Sequence, residues 1–411
     1  MQNKEKQLTI NKQHRRNQMK FNKWTVGLAA VGAISLVSAA RADEKMSQVQ
    51  TALSNTTISG YVDTSAMWNL GSQNGGLTPK YTPGGVNGDG FNLNAIDIAL
   101  DKPEDAGPWA SGYHVELMYG PDAVGTPSIG NVRQAYVTLR TPVGANGIDW
   151  KVGVFDTIIG YESSTDGANP NFTRSYGYQL EPTTETGILG TYKINDIISV
   201  SAGMANSGTA GAVAASGNAL AAGPGNPAET QKTYLGSIAL TAPDSWGWAK
   251  GATLNAGVID ALNAQGAANA GNTWYYAGVT VPTPISALKV GSSFDYTEAH
   301  NATALNHSDD SSWDAALYTT YQASDKLSLN LRGEYLDDGA AQLYAAGPGG
   351  TRHEATEVTA TVQYQLWANV LSRVELRWDH VGAKAYNATA AGAGPVDENA
   401  FLLALNLIYQ F

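Results

Sequence analysis

From residue 56 onward apolar and polar side chains alternate with a period of two, in stretches about ten residues long. In the last stretch Phe401, Leu403, Leu405, Leu407, Tyr409 and Phe411 share one face, while Asn406 and Gln410 take the other. Thr356, Val358, Ala360, Val362, Tyr364 and Leu366 likewise oppose Glu357, Thr359, Thr361, Gln363 and Gln365. Leu288, Val290, Phe294 and Tyr296 oppose Lys289, Ser293, Asp295 and Thr297, and Tyr113, Val115, Leu117 and Tyr119 oppose His114, Glu116 and Met118. Each such strand has one oily face and one wet face, at the length a tilted strand needs to cross a bilayer.

The pattern predicts sixteen strands, at 56–70, 91–101, 109–119, 131–141, 148–157, 184–194, 197–206, 231–241, 248–261, 273–281, 287–299, 311–322, 327–337, 353–367, 370–381 and 399–411. Short connectors such as Asn195-Asp196, Ala323–Lys326 and Trp367–Asn369 alternate with long Gly-, Ala-, Asn- and Asp-rich stretches near 71–90, 120–130, 158–183, 207–230, 262–272, 300–310, 338–352 and 382–398. Eight long loops interleaved with seven short turns are what an even-stranded antiparallel transmembrane β-barrel produces when both termini lie on the short-turn side. A soluble sandwich also alternates, but it has no need of connectors of strictly alternating length. Aromatics at segment ends reinforce the membrane barrel as interfacial girdles: Trp68, Tyr119, Trp150, Trp274, Trp313, Tyr321, Tyr335, Trp367, Trp378 and Tyr409. Sixteen strands enclose a lumen too wide for side chains alone to fill, so an aqueous channel is expected.

Composition narrows the function. The 411 residues contain no cysteine, which removes disulfides and thiolate metal sites, and a net charge of −11 disfavours nucleic acid, whose phosphates call for basic excess. Residues 1–23 carry seven basic side chains against Glu5, an apolar run follows from Trp24 to Ala40, and Ala40-Arg41-Ala42 fits a signal-peptide cleavage site. The expected domains are a signal peptide over 1–42, with Met19 as the suspected translation start, a polar lead-in over 43–55 and a barrel over 56–411. Without its leader the chain holds 17 basic and 35 acidic residues, a net charge of −18, which predicts a modest cation preference.

If the oily faces meet lipid, the opposite faces line the pore. They carry Asp63, Glu116, Lys151, Lys289, Asp295, Arg332, Glu334 and the ladder Arg373, Glu375, Arg377 and Asp379. The 158–183 loop is long enough to fold inward as a constriction, with Glu162, Asp166, Arg174 and Glu181 able to set up a transverse field, and Tyr176 and Tyr178 able to stack on sugar rings. Loop acids such as Asp309-Asp310 and Asp337-Asp338 are candidates for weak divalent-ion contacts with lipid headgroups. No cofactor is expected, and no H-E-x-x-H, G-x-S-x-G or Walker pattern occurs.

Two features carry a family resemblance. The C-terminal run Leu405 to Phe411, with Tyr409 and the terminal Phe411, is similar to the strand signal by which the assembly machinery recognises bacterial outer-membrane barrels. Val152–Glu162, Thr173–Tyr176, Glu181–Gly187 and the preceding Val132–Val137 resemble the OmpL-like outer-membrane β-barrel porins. That resemblance implies a porin fold and residence in the outer membrane, among lipid, and it supplies no defined substrate. The expected function is passive diffusion of ions and small hydrophilic solutes, with a homotrimer as the analogous assembly. A binding or structural barrel, such as an adhesin or envelope organiser, is the alternative, followed by a barrel-borne hydrolase.

Overall fold

In a computed structural model, the described residues are 55–70, 89–123, 131–206, 232–261, 271–300, 311–339, 343, 353–382 and 397–411. The signal-peptide region and most of the long loops, with the Asp309-Asp310 pair, lie outside them. The strands are β1 Thr57–Asn69, β2 Gly90–Lys102, β3 Ala110–Tyr119, β4 Val132–Thr141, β5 Ile148–Asp156, β6 Thr184–Lys193, β7 Ile198–Ala205 and β8 Thr233–Thr241. They continue as β9 Thr253–Ala261, β10 Gly271–Pro282, β11 Leu288–His300, β12 Ser311–Gln322, β13 Leu327–Asp338, β14 His353–Trp367, β15 Val370–Val381 and β16 Asn399–Gln410. Each pairs antiparallel with its sequence neighbours, and β1 pairs with β16 to close the barrel. Closure leaves no sheet edge whose peptide groups lack a partner, which is the condition for a β-structure in hydrocarbon. At the seam Phe411 extends the ladder one step further, donating to Gly60 O at 3.0 Å and accepting from Gly60 N at 3.1 Å.

The alternation sorts the side chains as expected. Phe401, Leu405, Leu407 and Tyr409 on β16, Val374 and Leu376 on β15, and Leu329 and Leu331 on β13 are exposed on the outer wall. The residues between them, including Arg332, Glu357, Arg373, Glu375, Arg377 and Asp379, are buried inside. Trp274 departs from the expected girdle: it faces inward and is 2% exposed, while its neighbour Tyr275 takes the outer wall. Residues 248–252 also depart from the predicted strand. There a 3₁₀ turn over Asp244–Ala249 and the left-handed Gly247 (φ 61°) and Gly251 (φ 77°) hold the short turn open, with Trp246 and Trp248 exposed on it. Asp337 and Asp338, expected in a loop, end β13 and are buried; Asp338 accepts from Ser312 Oγ and from the Leu343 amide, both at 2.9 Å.

One glycine holds two strands at close range. Gly153 on β5 has φ +137°, and a Cβ there would stand 2.2 Å from Ala135 O of β4. Gly236 on β8 would meet only Val258 Cγ1, at 3.7 Å. Gly153→Ala is expected to cost about 1–3 kcal/mol and to lower the temperature at which the folded barrel loses its characteristic gel mobility. Gly236→Ala should leave that temperature nearly unchanged.

Candidate functional site

The barrel interior is organised by residues 157–183, which join β5 to β6. They contain two short helical pieces, a 3₁₀ turn over Asp166–Ala168 and helix α1 over Tyr176–Leu180. The remainder is irregular, so its peptide groups need partners other than a ladder. The segment turns into the lumen instead of out to solvent, and residues 171–185 are all buried.

Its first part is apolar. Ile158, Ile159 and Tyr161 pack with Phe155, Leu189, Leu235, Ile259, Trp274 and Tyr318, which reach inward from β5, β6, β8, β9, β10 and β12. Tyr161 stacks on Tyr318 with ring centroids 4.1 Å apart, and its hydroxyl lies 3.0 Å from Thr280 Oγ1. Two inner-wall glycines make the room: a Cβ on Gly257 would lie 2.7 Å from Ile159 Cγ2, and one on Gly291 would collide with the Tyr161 hydroxyl. At this level an apolar cluster covers the inner wall along β5–β10 and β12.

The middle of the segment descends toward the short-turn rim, where Gly167 comes against Gln410 of β16. Asn169 holds this stretch in shape by accepting from Ser163 N at 2.8 Å and donating to Ser163 O at 2.7 Å. Arg174 reaches back to Asp166 at 2.8 Å and lies over the Tyr178 ring. Both groups of this pair are buried, so the barrel interior depends on their mutual compensation.

The last part meets the charged ladder. Glu375 accepts from the Phe172 amide (2.6 Å), the Thr173 amide (2.9 Å) and Thr361 Oγ1 (2.6 Å). Glu334 accepts from the Tyr176 amide at 2.9 Å, and Asp379 accepts from the Tyr176 hydroxyl at 2.6 Å. In the opposite sense, Arg332 donates to Thr173 O (2.8 Å) and Arg174 O (3.1 Å), Arg373 to Asp166 O (3.1 Å) and Asn169 O (2.5 Å), and Arg377 to Arg174 O (2.6 Å). Arg332 also binds Glu162 of the segment at 2.7 Å and Glu357 of the wall at 3.1 Å. Ser175 caps α1 by accepting from Tyr178 N at 2.9 Å, and Trp274 Nε1 donates to Leu180 O at 2.9 Å. Wall carboxylates take the segment's N–H groups and wall guanidinia take its carbonyls.

The predicted pore-lining residues divide into those that meet the inner segment and those that lie elsewhere on the inner wall. Arg332, Glu334, Arg373, Glu375, Arg377 and Asp379 are engaged with the inner segment, as are Glu162, Asp166, Arg174, Tyr176, Tyr178 and Glu181 with the wall or each other. Lys151 and Lys289 stand apart, half-buried on the inner face; Lys151 lies 4.8 Å over the Tyr136 ring. Glu116 belongs to a cluster on β3–β5, where Arg133 bridges it and Asp156, both at 2.5 Å, and Gln134 donates to it at 2.7 Å. Asp63 accepts from the amides of Asn94 and Asn406. It also brings a carboxylate oxygen within 4.8 Å of those of Asp122 and Asp166, a spacing a metal ion could use, although Arg174 already offsets Asp166. Tyr409 faces outward, half exposed, and Phe411 closes the seam.

Sequence reasoning missed Arg133 and Glu357. Glu357 shares the inward parity of Thr359 and Thr361 and was legible from that alone. Arg133 turns inward beside Gln134 where the β3–β4 register shifts between Glu116 and Leu117, which simple alternation does not foresee. At the segment's end burial pushes the Glu181 carboxyl well above its usual range, and the charge of Asp295 pushes it further.

Known folds place this arrangement among outer-membrane barrels. OmpF of Salmonella typhi, solved in complex with daunomycin, superposes with a TM-score of 0.57 at 12% identity, over 89% of this chain and 100% of that one. The anion-selective porin from Comamonas acidovorans gives 0.56 at 13% identity, over 87% and 99%. The trimer form of OmpT from Vibrio cholerae gives 0.53 at 16% identity, over 87% and 99%. No curated protein sequence matches the chain. The family model described as "Putative beta-barrel porin-2, OmpL-like" matches residues 55–411, the whole barrel, and the chain belongs to that family.

Proposed function

We propose that the protein is an outer-membrane porin through which ions and small hydrophilic solutes diffuse passively, with residues 157–183 as a fixed constriction. The observation that carries this reading is the closed sixteen-strand barrel whose charged inner wall binds an inward-folded loop. The long loops then face the cell exterior and the short turns the periplasm, with lipid around the exposed apolar wall. A signal peptide within residues 1–42 and delivery to the barrel-assembly machinery through the Phe411 strand fit the same route. A trimer follows by analogy with the trimer form of the Vibrio cholerae barrel.

Diffusion needs no cofactor and no bond-making chemistry. What the protein contributes is a low barrier, a defined width and a field. The inner acids outnumber the inner bases and favour cations, while Lys151 and Lys289 moderate that preference without being engaged by the loop. A plugged binding or structural barrel is the second reading, favoured by the burial of residues 171–185.

Purified protein in a planar bilayer should give stable open steps with a reversal potential of cation sign in a salt gradient; silence would overturn the porin in favour of the plugged barrel. Lys151→Glu together with Lys289→Glu should raise the cation-to-anion permeability ratio at nearly unchanged conductance. Arg332→Gln leaves Glu162 buried without its counter-charge and Glu357 with only the more distant Arg377, a loss of about 3–5 kcal/mol, and should instead raise conductance and current noise by freeing the loop.

A further inference from the structure

The inner segment ends on a group of carboxyls that the ladder does not compensate. Glu181 follows α1 and folds back over Gly160, where a Cβ would stand 2.5 Å from Glu181 Oε2. Asp295 of β11 and Asp314 of β12 face it from the wall. They are direct register partners, and Oδ2 of each overhangs Gly177 of α1, 2.6 and 3.1 Å from where a Cβ would be. Glu181 lies within hydrogen-bond reach of Asp295. Around them stand Tyr161 and Glu162 of the segment, Tyr276 of β10, Tyr318 of β12, Arg332 and Glu334 of β13 and Glu357 of β14.

The one cation in that surrounding group, Arg332, sends its hydrogen bonds to Glu162, Glu357, Thr173 and Arg174. Glu181 Oε1, Asp295 Oδ1, both carboxylate oxygens of Asp314 and the Tyr276 hydroxyl are buried without a hydrogen-bond donor or acceptor among the described residues. Ionised carboxylates in such a place would carry an uncompensated desolvation cost and repel one another. A proton removes both penalties at once, because a neutral carboxyl donates to its ionised neighbour.

We propose that Glu181, Asp295 and Asp314 form a proton-held latch that clasps the α1 end of the inner loop to β11 and β12 and lets go as the pH rises, widening the passage. The inference rests on the porin reading and adds its regulation. Opening returns the bound protons to solvent as the carboxyls ionise, and the resulting carboxylates then push the loop from the wall. The sign follows from linkage. Burial and neighbouring charges raise the Glu181 carboxyl in the latched state above its value in water. The latch is therefore complete at acidic pH and is lost as pH climbs through the latched-state value.

The test uses the full-length protein with EDTA present, stepped from about pH 5 to about pH 9, a range in which an ordinary carboxyl is already ionised. Bilayer conductance of the wild type should rise across that range. Glu181→Gln and Asp295→Asn, which imitate the neutral carboxyl, should stay at the low-pH level. Amide hydrogen exchange over residues 176–181, compared between proteins at the same alkaline pH, should be about tenfold slower in Glu181→Gln for each pKa unit of linkage. An equal rise in the variants, or exchange identical to wild type, would overturn the latch. If the barrel conducts at no pH, the porin reading fails, and the exchange comparison alone decides the latch. Should Glu181→Gln not assemble, Asp314→Asn carries the same comparison.

Discussion

A stretch of irregular backbone inside a barrel cannot be left to itself: each peptide group there must find a hydrogen-bond partner or bear the cost of desolvation. In this molecule charged side chains on two strands, β13 and β15, meet that demand. Glu334 and Glu375 take amides, while Arg332, Arg373 and Arg377 take carbonyls. Charge makes these bonds stronger than neutral ones, and the planar guanidinium can reach two carbonyls at once, as Arg332 does with Thr173 and Arg174. The loop's position, the width left beside it and the electrostatics of the interior all descend from that exchange.

The apolar half of the loop has a different role. Ile158, Ile159 and Tyr161 anchor it against β6–β12 by burial, which is strong but not directional. Directionality comes from the ladder on the other side. Between an oily anchor and a charged one the loop spans the barrel's breadth and descends to Gln410 at the far rim. The same division places the uncompensated carboxyls at the junction of the two halves, where apolar packing removes water and the arginines are already committed.

Much of the fold was legible because a bilayer imposes a strict rule on every second residue. The alternation located all sixteen strands, and parity placed Arg373, Glu375, Arg377 and Asp379 on one inward face. Parity also held the information that Trp274 points inward and Tyr275 outward, which a reading based on aromatic position alone overlooked. The ladder's partner was not legible. Length marked residues 158–183 as able to fold inward, but not which wall groups they would meet, since those contacts lie far away in sequence: Tyr176 meets Asp379, and Phe172 meets Glu375. Small inner-wall residues such as Gly257 and Gly291 were the available hint, but glycine is abundant throughout the chain and so carries little weight by itself. The turn at 242–252 was misplaced because Trp248 resembles a strand residue until Gly251 reverses the chain.

The separation between the loop and its holders also sets an order of events. Arg373 and Arg377 follow residues 166–174 by about two hundred positions, so during synthesis the loop exists long before the strands that will grip it. Pairings this remote form late and slowly. Until β13 and β15 are in place, the segment's polar backbone must be served by water. The final strand is joined to the first through Phe411 and Gly60. The bore of the finished molecule is fixed by the chain's last quarter, and an incomplete copy would have the wall without its throat.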